Sequence, residues 1–235
     1  TSATSADNEY WLYVDGGDGQ GGTGQTAWAI HGSNWNVADT GSFNLALGAR
    51  HAIAVKAINH AGTGTNPAAF LGQLDAGGGC WFAESGSREL LTGAHWEVWY
   101  GGAGSGEAPG TPGSTDPQPA ADGASLDWWE QDYDTGEVTG WVAATEIATN
   151  GTPGTPWHNA NGGPVSGISE SAWWIWTSNW ERDGALTFDG QDVDSPVYLR
   201  LTFTPVPEPL TMLAVFGGVA GIGAYVRRRR REPSR

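Results

Sequence analysis

Cysteine is almost missing: Cys80 is the only one in 235 residues. No intramolecular disulfide can form and a cysteine-based zinc site is excluded, so an apolar core has to stabilise the fold. Cys80 itself is expected to be a buried structural thiol. Positive charge is also scarce. Six of the eleven basic residues lie in the last nine positions, as Arg227, Arg228, Arg229, Arg230, Arg231 and Arg235. Residues 1–226 hold only Arg50, Lys56, Arg88, Arg182 and Arg200 against 25 carboxylates, all but Glu232 of the 26, for a net charge of −20. Such a body repels phosphate backbones and anionic lipid, which excludes nucleic-acid binding. It attracts divalent cations or keeps the chain dissolved.

Catalytic motifs are missing as well. There is no GxSxG, HExxH, P-loop or Cys–His pairing, and His31, His51, His60, His95 and His158 have no metal spacing. A spatial pair of carboxylates escapes such a search, but a non-enzymatic role is expected. The chain opens at Thr1 without an apolar leader, as a mature chain or a fragment would.

What is present is glycine, 37 residues, and tryptophan, 14. Glycine weakens helices and aromatics favour strands, so the mixture suits an all-β fold of short strands and Gly-rich turns. "EYWLYVDGG" alternates, with Tyr10, Leu12 and Val14 on one face and Trp11 and Tyr13 on the other. "GSFNLALGARHAIAVKAIN" predicts a short strand, a turn at Leu47-Gly48-Ala49 and a strand over 52–59. Further strands are expected in "AAFLGQLDAGGG", in "HWEVWY", in "SAWWIWTSNW" and in "SPVYLRLTFTP", where Val197, Leu199, Leu201 and Phe203 face one way. Between them, residues 101–125 form a Gly/Pro-rich insertion unable to bury a core. The irregular aromatic segment 126–165 then covers the sheets if Trp128, Trp129, Trp141 and Trp157 pack on them, and is a mobile patch if they do not.

The end of the chain differs from all of this. Residues 210–226, "LTMLAVFGGVAGIGAYV", are uncharged, a length at the short end for a bilayer span. Their glycines are tolerated in membrane helices, and Arg227–Arg231 form a cytoplasmic stop under the positive-inside rule. A transmembrane helix over 210–226 is therefore expected. Pro207, Glu208 and Pro209, the apolar span and the arginine cluster together resemble the PEP-CTERM sorting signal of exported bacterial proteins. The resemblance implies export, transient membrane anchoring, recognition by an exosortase near Pro207–Glu208–Pro209, and an exopolysaccharide-producing host. Residues 1–205 are then the working β-sandwich domain and 206–235 the sorting signal.

The order "ADNEYWLYVDG", "LALGARHAIAVKAIN" with "NPAAFLGQL", then "WWIWTSN" with "VYLRLTF" resembles the galactose-binding-like jelly roll. Only six residues precede Asp7, so the family's preceding strand is expected to be short or missing. An incomplete edge of that kind would accept a strand from a neighbouring subunit. Ligands of these jelly rolls meet loops at one end of the sandwich. The loops after Val14 and around "HGSNWN" make Trp28, Asn34 and Trp35 the carbohydrate-binding candidates, since indole stacks on sugar rings and amides take hydroxyls. Most of the other tryptophans are expected in the core. The family's structural calcium directs attention to Asp132, Asp134 and Glu137 in "DYDTGE" and to Asp189, Asp192 and Asp194 in "DGQDVD", although neither matches an EF-hand loop. The function expected is an exported surface or matrix protein that binds extracellular polysaccharide. The alternatives are a self-assembling surface subunit and an accessory carbohydrate-binding domain of a glycoside hydrolase.

Overall fold

Alternation in "EYWLYV" is realised directly. Strand β2 (Glu9–Val14) buries Tyr10, Leu12 and Val14 in the main core and turns Trp11 and Tyr13 to the opposite face. The computed structural model describes residues 1–23, 27–59, 68–93, 95–99, 128–137, 141–177 and 196–208. In chain order the other strands are β1 (Ser2–Asp7), β3 (Ile30–Gly32), β4 (Asp39–Gly41), β5 (His51–Ile58), β6 (Ala69–Asp75), β7 (Cys80–Phe82), β8 (Glu89–Leu91) and β9 (Glu97–Trp99). They continue with β10 (Trp141–Ala143), β11 (Thr145–Thr149), β12 (Trp173–Trp176), β13 (Pro196–Phe203) and β14 (Pro205–Pro207). The fold is all-β, as expected. Among the described residues the one α-helix, α1, spans six residues, Pro156–Asn161.

Two antiparallel sheets share the core. The first runs β11-β12-β6-β1-β4, with β8 also on β6, and the second runs β10-β9-β13-β5-β2-β3. Ala6, Phe70, Leu74 and Ile175 of the first sheet meet Leu12, Val55, Leu199 and Leu201 of the second. Strand β13 pairs with β5 over eight residues, from Pro196↔Ile58 to Phe203↔His51. Its residues Val197, Leu199, Leu201 and Phe203 all reach the core, which is the face the alternation predicts. Of "GSFNLALG", only Gly41 is in a strand. Phe43 and Leu45 instead pack, half-buried, against one end of the core, and Gly48 takes the left-handed turn at φ +74°.

The first strand corrects an expectation. β1 is six residues long and is not an edge: it pairs with β6 from Ser2↔Leu74 to Asp7↔Ala69 and with β4 on its other side. Its composition, "SATSAD", carries no strand signal because Thr4, Ser5 and Asp7 find their partners outside the strand, while Ser2 Oγ is buried with no hydrogen-bond partner among the described residues. Thr4 Oγ1 and Tyr10 Oη lie 2.8 Å apart, Ser5 Oγ donates to the Trp35 carbonyl at 2.7 Å, and Trp157 Nε1 donates to Asp7 Oδ2 at 3.2 Å. The edge strands β3, β4 and β10 have three residues each, and β11 is broken by a bulge between Glu146 and Ala148. Short and bulged edges discourage strand addition.

Segment 126–165 covers the sandwich where it is described. Trp128, Trp129 and Tyr133 pack on the outer face of the second sheet with Tyr13, Ala54, Trp99 and Tyr198. Trp157, Val165 and Ile168 pack on the outer face of the first with Ala3, Leu71 and Trp174. Buried Asn150 holds the second cover: its Nδ2 donates to the carbonyls of Val165 and Ile168, and its Oδ1 accepts from Val165 N. Thr155 caps α1 by accepting from His158 N, Pro156 opens it, and Gly162 closes it at φ +70°.

Burial pushes the Asp7 carboxyl up to about 6, against the opposing hydrogen bonds from Trp157 and Asn8. The folded state therefore holds this proton more tightly than the unfolded chain does. The resulting stability is complete below about pH 4 and is lost as pH rises through about 6, a span on the order of 3 kcal/mol. Asp7→Asn removes that slope. Urea titrations at about pH 4 and pH 7.5 should show the variant gaining on the wild type by this amount at the higher pH. A constant difference between the two would show that Asp7 titrates normally.

Among the described residues no helix is long and apolar enough to cross a membrane. The span expected over 210–226, Pro209 and Arg227–Arg231 lie outside the described residues. Pro207 and Glu208 do not: β14 pairs with β7 (Val206↔Trp81, Pro207↔Cys80), Glu208 N donates to Gly79 O at 2.8 Å, and Arg88 Nε is 3.5 Å from Glu208 Oε1. Cys80 is half-buried rather than buried, because β7 lies outside the two main sheets.

Candidate functional site

An aromatic platform stands on the outer face of the second sheet at its β3 edge. Strand pleating points Glu9 and Trp11 away from the core. Register then places His31 opposite Trp11, and the two rings stack with centroids 5.1 Å apart and 11° between planes. Trp28 meets the imidazole edge-on at 6.0 Å and 61°. It is held there by the Ala29 N–H, which donates to Leu12 O at 2.7 Å and extends the β2–β3 pairing back toward Trp28. Trp28 is 42% exposed, the only tryptophan among the exposed large apolar side chains of the described residues. His31 Nε2 lies 2.9 Å from Glu9 Oε1, which fixes the imidazole orientation and puts a carboxylate beside the rings.

The same cross-strand row continues through Lys56, Tyr198, Trp99 and Trp141, one residue from each remaining strand of the sheet. Lys56 Nζ sits 5.8 Å above the Tyr198 ring. Beyond it the row passes beneath Trp128 and Trp129. Arg200 anchors that cover. It is fully buried on the outer face of β13, and its Nη1 donates to Trp128 O at 2.9 Å. Its Nη2 donates to Glu130 O, Gln131 O and Tyr133 O at 2.7–3.1 Å. Burial brings its guanidinium down to about 10, with Arg50 adding to the effect. Glu97, opposite Arg200 on β9, accepts from Thr135 Oγ1 at 2.7 Å.

The three predicted carbohydrate residues do not form one site. Trp28 belongs to the platform, whereas half-buried Trp35 packs against the outer face of the first sheet. Exposed Asn34 closes its own turn, with Oδ1 accepting from Asn36 N at 3.4 Å. The chain crosses from β3 in one sheet to β4 in the other, so Trp28 and Trp35 emerge on opposite sides of the sandwich. Glu9, Trp11 and His31 were missed. Trp11 was legible as an outward aromatic, but its pairing with His31 depends on strand register, which no single segment reveals.

Asp132 and Asp134 are exposed in the turn before Thr135–Glu137, and Asp134 Oδ1 accepts from Gly136 N at 2.8 Å. Among the described residues no three His, Cys, Asp or Glu side chains converge as a metal site. Asp189, Asp192 and Asp194 lie outside the described residues. The carboxylates of Asp15 and Asp18, in the Gly-rich loop after β2, are engaged by β5 and by the loop's own backbone respectively. Asp15, at φ +50°, accepts from Ala52 N and from His51 Nδ1, the latter at 2.6 Å. The backbone N–H groups of Gln20 and Gly22 hold the Asp18 carboxyl below the usual range. A cleft of about 340 Å³ opens at the end of the sandwich between Phe43, Leu45, Leu74, Cys80, Phe82 and Phe203. Its walls are mainly apolar, which suits a sugar less well than the platform does. No family model, no curated protein and no solved structure matches this chain.

Proposed function

We propose that this is a non-enzymatic, exported bacterial surface or matrix protein that binds extracellular polysaccharide on the Trp28–His31–Trp11 platform. The observation that carries the reading is an exposed indole braced by two stacked rings on a hydrogen-bonded sheet, with a carboxylate held by the imidazole of that stack. A rigid aromatic face binds the C–H face of a sugar with little loss of side-chain freedom, and a carboxylate accepts hydrogen bonds from hydroxyls. The two-sheet architecture is compatible with a galactose-binding-like jelly roll. Delivery would follow from the tail: an exosortase reads Pro207, Glu208 and Pro209, while the apolar span and Arg227–Arg231 hold the chain in the membrane. The short edge strands and the interior position of β1 favour a binder over a self-assembling subunit.

Affinity electrophoresis through gels containing exopolysaccharide tests the proposal. Trp28→Ala should weaken retention by at least about tenfold, near 1.4 kcal/mol, as loss of a central aromatic anchor does. Trp35→Ala, on the other side of the sandwich, should leave it unchanged. Equal retention of Trp28→Ala and wild type would remove the platform from the account.

A further inference from the structure

We propose that the glycan bound on this platform is cationic, a polysaccharide of amino sugars whose free amines are protonated. The inference rests on the polysaccharide-binding reading above and names its ligand class. Three observations converge on it. The body carries a net charge of −20 over residues 1–226, so an acidic glycan meets repulsion at every approach while a cationic one is drawn in. The platform joins the Trp11 and Trp28 rings to a carboxylate, Glu9, through the His31 imidazole that each of them contacts. Aromatic faces and a carboxylate on one surface suit an ammonium-bearing glycan: a ring quadrupole attracts the cation and a carboxylate accepts its hydrogen bonds. The same sheet face already places its own two cations over aromatic rings, Lys56 Nζ 5.8 Å from the Tyr198 centroid and Arg200 Cζ 5.4 Å from that of Tyr133. Among the described residues no lysine or arginine occupies the corresponding position over Trp28, although its ring is open to solvent. Glu9 is anchored on this face by its contact with His31, Oε1 lying 2.9 Å from Nε2.

Calorimetric titration of the full chain in nonionic detergent decides the matter. The probes are a glucosamine oligomer, the same oligomer fully N-acetylated, and an oligouronate, each at about pH 6 and at low and high salt. The glucosamine oligomer is expected to bind about tenfold tighter than its acetylated form, and the oligouronate not at all. Glu9→Gln should weaken only the glucosamine oligomer, by about tenfold, and leave the acetylated one unchanged. Equal or tighter binding of the acetylated or acidic oligomer would overturn the inference while leaving a polysaccharide-binding platform in place. Unchanged glucosamine binding by Trp28→Ala, which keeps the whole body charge, would also overturn it, because the attraction would then be general. Binding of none of the three, together with unimpaired retention of Trp28→Ala in exopolysaccharide gels, would instead sink the platform itself.

Discussion

Arg200→Ala is expected to lower the unfolding free energy by roughly 3–5 kcal/mol, the range for removing one member of a buried charged network. Arg200 is wholly buried, and its guanidinium is the shared donor to four backbone carbonyls, those of Trp128, Glu130, Gln131 and Tyr133. Truncation leaves acceptors without donors under a layer of tryptophan, and each buried orphan costs about 1–3 kcal/mol unless the segment lifts away and hydrates. Lifting is the cheaper response. The variant should therefore expose Trp128, Trp129 and Tyr133 while keeping its sheets, seen as a red-shifted tryptophan emission with little change in far-ultraviolet dichroism. Arg200→Lys keeps the charge but concentrates its donors at one point, so it cannot span four carbonyls and should restore only part of the loss. Urea titration of the three proteins gives the ordering. A loss below about 1 kcal/mol for Arg200→Ala would mean that aromatic packing alone holds the cover.

The matching contact on the other side is Trp157, and Trp157→Ala should cost about 3–5 kcal/mol, the usual range for truncating a buried aromatic. The indole is 2% exposed, stacks on Trp174 at 4.6 Å and 16°, and donates Nε1 to Asp7. Trp157→Phe separates packing from hydrogen bonding. It keeps most of the apolar contact but removes a donor that lowers the Asp7 carboxyl, so that carboxyl should rise further. The penalty of Trp157→Phe should accordingly be larger at about pH 8, where a buried charge loses its partner, than at about pH 4, where the carboxyl is protonated in any case. In the Asp7→Asn background this pH dependence should vanish. A penalty independent of pH in both backgrounds would show that the Trp157–Asp7 hydrogen bond does not form.

The two covers also explain which parts of the molecule could be read in advance. Strands β2, β9 and β13 were legible because one side of each faces a single core, and Tyr10, Leu12 and Val14, or Val197, Leu199, Leu201 and Phe203, mark it with period two. β1 was not, because both of its faces are buried and the Thr4 and Ser5 hydroxyls are satisfied by groups six and 30 positions away, with the Asp7 carboxylate reached from Trp157. Segment 126–165 was irregular in sequence because it serves both sheets in turn and has no single periodicity to display. Arg200 carried a signal: a lone cation within "VYLRLTF" needs a reason to be there. Trp28 stood out as an aromatic at the edge of a Gly-rich loop, but its partners are set by register. Trp35, seven residues on, is separated from it by the crossing between sheets.

The most direct test of the account is a hydrogen–deuterium exchange footprint of the chain with and without bound polysaccharide. Protection is predicted in two segments only, Glu9–Val14 and the stretch from Trp28 through Ile30–Gly32, with no change around Trp35 or in 128–137. Protection confined to the Trp35 side, or none at saturating glycan, would contradict it and move the search for function off this face of the sandwich.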